Sequence, residues 1–123
     1  MEILNGTDII EVSRIRASIE NNGEKFLKKI YTENEISYCE SKKEKKYESY
    51  AARFAAKEAI YKAINTKTNR IFNWTDFEII NEECGKPNVF LKIKVEKLER
   101  VEISLSHIKE YAIANAVAVF KEK

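Results

Sequence analysis

The chain has 123 residues and a mass of 14.3 kDa, enough for one domain with a single hydrophobic core. Hydrophobic residues make up 44% and charged residues 34%, a composition that excludes a disordered or fibrous protein. The net charge of +2 is too small to require nucleic acid, although it is compatible with a local basic patch for an acidic partner. We therefore expect one domain over residues 1–123 and no nucleic-acid partner.

The cysteines and the N-terminus point to a cytoplasmic protein. Cys39 and Cys84 are far apart and lack metal-ligand spacing, so two free thiols are expected. The first ten residues, "MEILNGTDII", show neither the basic region nor the cleavage site of an export signal. No segment approaches the roughly 20 apolar residues that a membrane helix needs.

The first forty residues predict one strand followed by short helices. Residues 3–10 are rich in β-branched side chains, which favours a strand. "EVSRIRASIENN" then places its apolar residues on one helical face, and Gly23 ends that helix. "EKFLKKIY" predicts a second short amphipathic helix. Thr32 with Glu35 three residues later is a capping-box pattern that begins a third helix.

A long helix is predicted from about residue 46 to 64. It follows the charged segment "SKKEKKYES", which is typical of a solvated loop or helix face. One side of the helix is a stripe of core residues, namely Ala56, Ile60, Ala63 and Ile64. Asn65 is expected to end the helix in the left-handed conformation. Arg53 and Lys57 lie near the core stripe, and the helical spacing does not explain them.

Glu58 and Lys62 lie on the opposite side of this helix, four residues apart and therefore adjacent. Ala51 and Ala55 lie beside them, and such small side chains would leave room for a ligand or a neighbouring subunit. An ordinary intrahelical ion pair, worth about 0.2–0.5 kcal/mol, explains the two charges equally well from this helix alone.

The C-terminal half predicts strands. Two β-rich segments flank "ECGKP", where Gly85 and Pro87 favour a hairpin turn. "VEISLSH" alternates apolar residues with Ser104 and Ser106, as in a half-buried strand. "YAIANAVAVF" favours a strand over a helix because of its alternation and its valines. One strand, then helices, then antiparallel strands predict an α+β fold.

Two further features suggest phosphate chemistry. Asp8, at the end of the first strand and after Gly6, is a second carboxylate for a metal site, and one or two carboxylates with substrate phosphates suffice for Mg²⁺. An aspartate near a glycine is more often a turn or capping residue. His107 with Ser104 and Ser106 is a polar cluster suited to phosphate or hydroxyl groups, although a lone histidine usually has no such role.

Four segments occur together in one order: "GTDIIEVSRI", "RFAAKEAIYKA", "GKP" and "ISLSHIKEYAIANAVA". This set resembles the holo-acyl-carrier-protein synthases, the small stand-alone class of phosphopantetheinyl transferases, over nearly the whole chain. The F-A-A-K-E-A-x-x-K-A segment is highly specific, and G-x-D-x-x-x-x-x-R supports it.

The resemblance implies the phosphopantetheinyl transferase fold and a defined reaction. Family members transfer the 4'-phosphopantetheine arm of coenzyme A to a serine of apo-acyl carrier protein and release adenosine 3',5'-bisphosphate, in support of fatty acid biosynthesis. They use Mg²⁺ and form homotrimers with active sites between subunits. The expected partners are therefore coenzyme A, an acidic carrier protein and further copies of this chain.

The resemblance also implies roles for individual residues. Asp8 and Glu58 match metal ligands, and Lys62 matches a lysine close to the transferring phosphate. Arg53 and His107 match positions near the phosphates of coenzyme A, and Ser106 is added to this set. The base that accepts the serine proton stays open among Glu58, a metal-bound water and His107. Residues expected to bind the carrier protein are Arg14, Lys25, Lys28 and Lys29.

Two other functions fit part of the sequence. A non-enzymatic basic module that binds an acidic protein or RNA through "KKEKKY" and the first helix explains Arg14 and the lysines, but not Asp8 and Glu58. A Mg²⁺-dependent phosphohydrolase would be expected to have a larger carboxylate cluster.

Overall fold

The computed structural model of the chain describes residues 1–122. The strands in this part are β1 (Glu2–Glu11), β2 (Phe77–Asn81), β3 (Pro87–Leu91), β4 (Leu98–His107) and β5 (Tyr111–Phe120). The α-helices are α1 (Val12–Asn22), α2 (Glu24–Ile30), α3 (Glu33–Glu40) and α4 (Lys46–Thr68). Short 3₁₀ turns lie at Lys43–Lys45 and Trp74–Asp76. The predicted α+β fold is confirmed.

The larger sheet is antiparallel, with β5 between β1 and β4. Its register places Asp8 of β1 opposite Ala114 and His107 of β4 opposite Ala112. Because β1 and β4 are separated by β5, their backbones are roughly 9–10 Å apart. The last predicted strand is confirmed as β5, and it lies at the centre of the sheet. Strands β2 and β3 form a separate hairpin around the predicted turn.

Helix α4 packs closely on the larger sheet because both surfaces carry small residues. The alanines at this contact are fully or almost fully buried: Ala55, Ala56, Ala59, Ala63, Ala114, Ala116 and Ala118. A Cβ atom added to Gly6 would lie 2.2 Å from the carbonyl oxygen of Ala59 and 2.9 Å from the backbone nitrogen of Ala63. Glycine is therefore required at position 6, and Asp8, two residues further on the same face of β1, is brought towards α4.

The helices α1 to α3 cover another side of α4. The buried residues of α1 are Val12, Ile15 and Ile19, the face that the spacing predicts. The capping box of α3 is present, with Thr32 N donating to Glu35 Oε1 at 2.9 Å and Glu35 N donating to Thr32 Oγ1 at 3.3 Å. Twelve of the 23 residues of α4 are buried, so this helix is the centre of the molecule.

The prediction that Asn65 ends α4 is wrong. The helix continues to Thr68, and Asn69 adopts the left-handed conformation with φ 49° and ψ 35°. The N–H of Asn69 donates to the carbonyl of Asn65 at 2.9 Å. The additional turn is held against β1 by an ion pair between Lys67 Nζ and Glu2 Oε1 at 2.6 Å. Two asparagines four residues apart offer the same end signal, and this contact with β1 favours the second.

The prediction that Ala51 and Ala55 leave room for a ligand is also wrong. Both residues are 0% exposed. Ala51 packs with the apolar residues of α1 and α3, and Ala55 with those of the sheet and hairpin. The small residues near Glu58 therefore serve close packing of the protein itself.

Both cysteines are free thiols, as predicted. Cys39 is fully buried, and burial raises the pKa of its thiol to about 11. Cys84 is exposed near the tip of the β2–β3 hairpin. Among the helices within residues 1–122, none is both long enough and apolar enough to cross a membrane.

Candidate active site

Asp8, Glu58 and Lys62 lie together where β1 packs on α4. Lys62 Nζ is 3.2 Å from Asp8 Oδ1 and donates to the carbonyl oxygen of Thr7 at 3.0 Å. Asp8 lies inside β1, three residues before its end, rather than at the strand end that the sequence predicts. The close contact at Gly6 is what brings this part of β1 to the turn of α4 that carries Glu58 and Lys62.

The Glu58 carboxyl group has a pKa above the ordinary value for a glutamate. Its partial burial raises its pKa, the negative charge of Asp8 raises it further, and Lys62 opposes both effects. The net shift of the pKa is upward, because burial and the charge of Asp8 together outweigh Lys62. A cation at this point would relieve the repulsion.

The donor set fits a Mg²⁺ ion shared with a phosphate ligand. Within the described part of the chain, no group of three or more histidine, cysteine or carboxylate side chains is arranged to hold a metal. Mg²⁺ is commonly bound by one or two carboxylates together with substrate phosphates and water. Asp8 and Glu58 are therefore sufficient when phosphate oxygens complete the coordination.

Arg53 and His107 line a cavity of about 480 Å³. It lies on the side of α4 that faces away from Glu58. The Arg53 guanidinium lies 4.1 Å from the centre of the Tyr38 ring and donates to Asn81 Oδ1. Among the described residues its Nε has no hydrogen-bond partner although it is buried. His107 Nδ1 is 2.8 Å from Glu48 Oε1. This cavity is suited to an anionic ligand.

Residues 5–116 match the family model of the 4'-phosphopantetheinyl transferase superfamily. The chain belongs to this superfamily. The transferase is 50% identical to the holo-[acyl-carrier-protein] synthase of Ruminiclostridium cellulolyticum, over 95% of this chain and 92% of that protein.

Solved structures agree with this membership. The Bacillus anthracis holo-(acyl-carrier-protein) synthase, in complex with coenzyme A (3',5'-ADP), has 37% sequence identity and a TM-score of 0.77, with 94% of each chain covered. The Helicobacter pylori enzyme in complex with coenzyme A has 28% identity and a TM-score of 0.83, covering 94% of this chain and 100% of that one. The transferase is thus an enzyme of the holo-acyl-carrier-protein synthase group.

The residues expected to bind a carrier protein are exposed on two consecutive helices of the transferase. Arg14 lies on α1, and Lys25, Lys28 and Lys29 lie on α2. Lys28 forms a loose ion pair with Glu24 at 3.8 Å. These positions leave the basic side chains accessible to an acidic partner.

The sequence did not single out several residues of the Arg53 cavity. Ser104 lines this cavity, whereas Ser106 is exposed on β4 outside the lining. Ser104 belongs to the predicted polar cluster, whereas the polar lining residues Tyr38, Lys42, Lys45 and Ser49 were not predicted. Lys42 and Lys45 belong to the charged segment that we interpreted as solvated. The Lys42 ammonium lies 4.6 Å from the centre of the Tyr38 ring, a contact across the end of α3 that helical spacing does not predict.

Two more cavities lie along α4. A small one of about 260 Å³ adjoins Glu58 and is lined mainly by aromatic residues, namely Tyr61, Phe72, Trp74 and Phe77. The other, of about 880 Å³, lies at the C-terminal end of α4 around Lys67 and Thr68. Because Thr68 is ten residues beyond Glu58, this cavity is about 15 Å along the helix axis from the carboxylate pair. Size alone does not locate the candidate active site.

Proposed function

We propose that this enzyme transfers the 4'-phosphopantetheine arm of coenzyme A to a serine of apo-acyl carrier protein and releases adenosine 3',5'-bisphosphate, in support of fatty acid biosynthesis. The observation that carries the proposal is the meeting of Asp8, Glu58 and Lys62 in a chain whose relatives are named holo-acyl-carrier-protein synthases. Asp8 and Glu58 would hold Mg²⁺, and Lys62 would contact the reacting phosphate.

The cavity of Arg53 and His107 is the proposed place for the nucleotide end of coenzyme A. Arg53 and Glu58 are five residues and about 140° apart around α4, so within one subunit they face different sides of the helix. The cavity would therefore serve the carboxylate pair of a neighbouring subunit. Support comes from the unpartnered Nε of Arg53 and from Lys42 and Lys45, which add positive charge to the same cavity.

The transfer requires an Oγ–P bond to form at the serine while a P–O bond of the pyrophosphate breaks. Bound Mg²⁺ would neutralise part of the charge on the phosphate oxygens. Lys62 donates to the phosphate as the leaving adenosine 3',5'-bisphosphate takes the bonding electron pair. Glu58 is the proposed acceptor of the serine proton, because its carboxylate lies where the reacting phosphate would bind.

We assign His107 to coenzyme A rather than to the base. Its Nδ1 is engaged by Glu48, and the register places it two strands away from Asp8 within the same chain. Ser106 is kept as a coenzyme contact made where two subunits meet, because it lies on the exposed face of β4.

A homotrimer is the proposed assembly. The face of the larger sheet that points away from α4 carries exposed apolar side chains, with Ile3 and Ile9 each 62% exposed, Tyr111 46% and Ile113 41%. We call this surface the open sheet face. Further copies of the chain would cover it and complete the active sites between subunits. The two free thiols support a cytoplasmic location.

The carrier protein is proposed to dock on Arg14, Lys25, Lys28 and Lys29. Carrier proteins are acidic, and exposed basic residues attract such a partner over a distance. A non-enzymatic module that binds an acidic protein or RNA would also explain these basic residues. It would not explain the Asp8–Glu58 pair, which favours the enzyme.

The proposal is tested by incubating the protein with coenzyme A, Mg²⁺ and apo-acyl carrier protein, and weighing the carrier protein by mass spectrometry. We expect a gain of one phosphopantetheine, abolished when coenzyme A is omitted or Mg²⁺ is chelated. An unchanged mass under the complete conditions would contradict the proposed function.

A further inference from the structure

A fully buried ion pair lies next to Glu58. Lys57 precedes Glu58 in α4, and the side chains of Lys57 and of Glu35 in α3 are both 0% exposed. Lys57 Nζ is 2.7 Å from Glu35 Oε1. Buried charges are costly to maintain even when they are paired, and apolar residues of similar volume often replace them without loss of stability. The pair therefore requires a reason other than stability alone.

Each of the three N–H groups of the Lys57 ammonium has an acceptor from a different segment. Nζ donates to the carbonyl of Ile30 at the end of α2 at 2.7 Å, to Glu35 Oε1, and to the carbonyl of Trp74 at 3.2 Å. A lysine has three donors in total. Although Lys57 is adjacent to Glu58 in sequence, no donor is left for a substrate phosphate.

Glu35 extends the same network to α3 and β2. Oε1 also accepts from the backbone N–H of Thr32 at 2.9 Å, and Oε2 accepts from the backbone N–H of Ile79 at 2.8 Å. The ion pair consequently joins the end of α2, the first turn of α3, the middle of α4, the middle of β2 and the 3₁₀ turn at Trp74.

This network determines how Glu58 is presented. Consecutive residues of a helix point about 100° apart, so a fixed Lys57 side chain sets the rotation of the turn that carries Glu58. The bond to the Trp74 carbonyl holds the 3₁₀ turn beside it, where Trp74 stacks on Phe54 with ring centres 4.8 Å apart. Glu58, Phe72 and Trp74 line the same small cavity.

We propose that Glu35 and Lys57 are positioning residues, whose ion pair holds Glu58 and the Trp74 side of the adjoining cavity in the arrangement that the transfer requires. The inference rests on the proposed function, because it assumes that Glu58 acts in the reaction. It assigns Lys57 no contact with substrate.

The test compares Lys57→Met, the double variant Glu35→Gln/Lys57→Met, and Lys92→Met as a matched control. Lys92 pairs with Glu78 at 3.8 Å but is half exposed. Lys57→Met leaves the Glu35 charge buried without its partner and should be much less stable. The double variant removes both charges, so its stability should recover in part, while the bonds to Ile30 and Trp74 stay lost.

Two readouts separate positioning from stability. We expect kcat of the folded double variant to fall about 100-fold, the effect of a misplaced reacting group, with little change in KM for coenzyme A. Trp74 is the only tryptophan, so quenching of its fluorescence by acrylamide reports the 3₁₀ turn directly. Quenching should increase in the double variant and stay at the wild-type level in Lys92→Met.

A folded double variant with the kcat of the control, or with unchanged quenching of Trp74, would overturn the inference. If the double variant does not fold, Glu35→Asp, which keeps both charges but shortens the acceptor side chain, decides the question in the same way, with an expected loss of kcat of about tenfold because Lys57 keeps its two carbonyl acceptors. If the wild type transfers nothing, the proposed function fails, whereas the fluorescence readout still decides whether the ion pair anchors the Trp74 turn.

Discussion

Two requirements on the Glu58 carboxyl group oppose each other. Folding favours its protonated form, whereas binding a cation would require its ionised form. Its partial burial and the neighbouring Asp8 raise its pKa, so the ionised carboxylate costs stability at neutral pH. Holding a cation requires the same carboxylate to be ionised. The repulsion that disfavours two ionised carboxylates at Asp8 and Glu58 would equally favour a bound cation, the proposed Mg²⁺.

This conflict predicts that Glu58→Gln stabilises the protein in the absence of metal. Since the pKa in the folded state is raised, protonation of Glu58 favours folding, and that contribution is lost as pH rises through the raised pKa. Urea unfolding in a chelator at neutral pH should therefore show a higher midpoint for Glu58→Gln. The gain should shrink as the pH falls towards 4.5, the ordinary value for a glutamate.

Glu99→Gln provides the matched control, because Glu99 is an exposed residue of β4. A Glu58→Gln protein that is equally or less stable than the wild type at neutral pH in the chelator would contradict the electrostatic description of the site.

At the scale of elements, the active site depends on how closely β1 approaches α4. Gly6 has no room for a side chain, since an added Cβ would lie 2.2 Å from the Ala59 carbonyl oxygen. Asp8 follows two residues later, and Lys62 bonds to the backbone of Thr7 between them. The contact between β1 and α4 therefore also sets the positions of Asp8 and Lys62 in the candidate active site.

Gly6→Ala should lower both stability and activity. Overpacking typically costs about 1–3 kcal/mol, and the shift of β1 needed to relieve it would move Asp8 away from Glu58. Thermal unfolding measures the first effect, and kcat well below the unfolding temperature measures the second. Gly23→Ala is the control, since its Cβ would meet open space and only its φ of 55° is unfavourable. Normal kcat in a folded Gly6→Ala protein would refute the coupling.

A further prediction concerns the exposed surface of α1 as the docking surface for the carrier protein. Arg14 lies on α1, outside the candidate active site, and its proposed role is to attract the carrier protein. Charge reversal in Arg14→Glu should raise KM for the carrier protein and leave KM for coenzyme A nearly unchanged, because long-range charge governs encounter. Steady-state kinetics with each substrate varied in turn provides the check, with Arg100→Glu on β4 as control. A change confined to coenzyme A would show that α1 is not the docking surface.

At the scale of the whole molecule, the sequence predicted most elements because their signals are local. The alternation in "VEISLSH" and the Thr32–Glu35 capping box involve neighbouring residues, and both are confirmed. The grouping of Asp8 with Glu58 and Lys62 was predicted through the ordered motifs.

The errors arose where distant segments decide the outcome. Ala51 and Ala55 are buried because α4 is enclosed on several sides, so a single core stripe does not describe this helix. The end of α4 lies beside β1, where Lys67 pairs with Glu2, a contact that the local sequence does not reveal. Lys57 is explained by Glu35, a partner 22 residues away that helical spacing cannot reveal.

The open sheet face is the proposed interface between subunits, so a charge placed there should prevent association. Ile113→Asp places a charge at the centre of this apolar surface, opposite the exposed Ile9. The variant should form monomers, whereas the wild type should form trimers, as measured by light scattering during gel filtration. Ile80→Asp, on the separate hairpin where Ile80 is 38% exposed, is the control. Trimers of Ile113→Asp as stable as those of the wild type would place the interface elsewhere.

The central claim is that the transfer occurs at the carboxylate pair of Asp8 and Glu58. Its most direct test is the rate at which Glu58→Gln adds phosphopantetheine to apo-acyl carrier protein, followed by mass spectrometry at saturating coenzyme A and Mg²⁺. We expect a loss of at least about 100-fold relative to the wild type, the range for lost electrostatic or base catalysis. A folded Glu58→Gln protein that modifies the carrier protein at nearly the wild-type rate would contradict it.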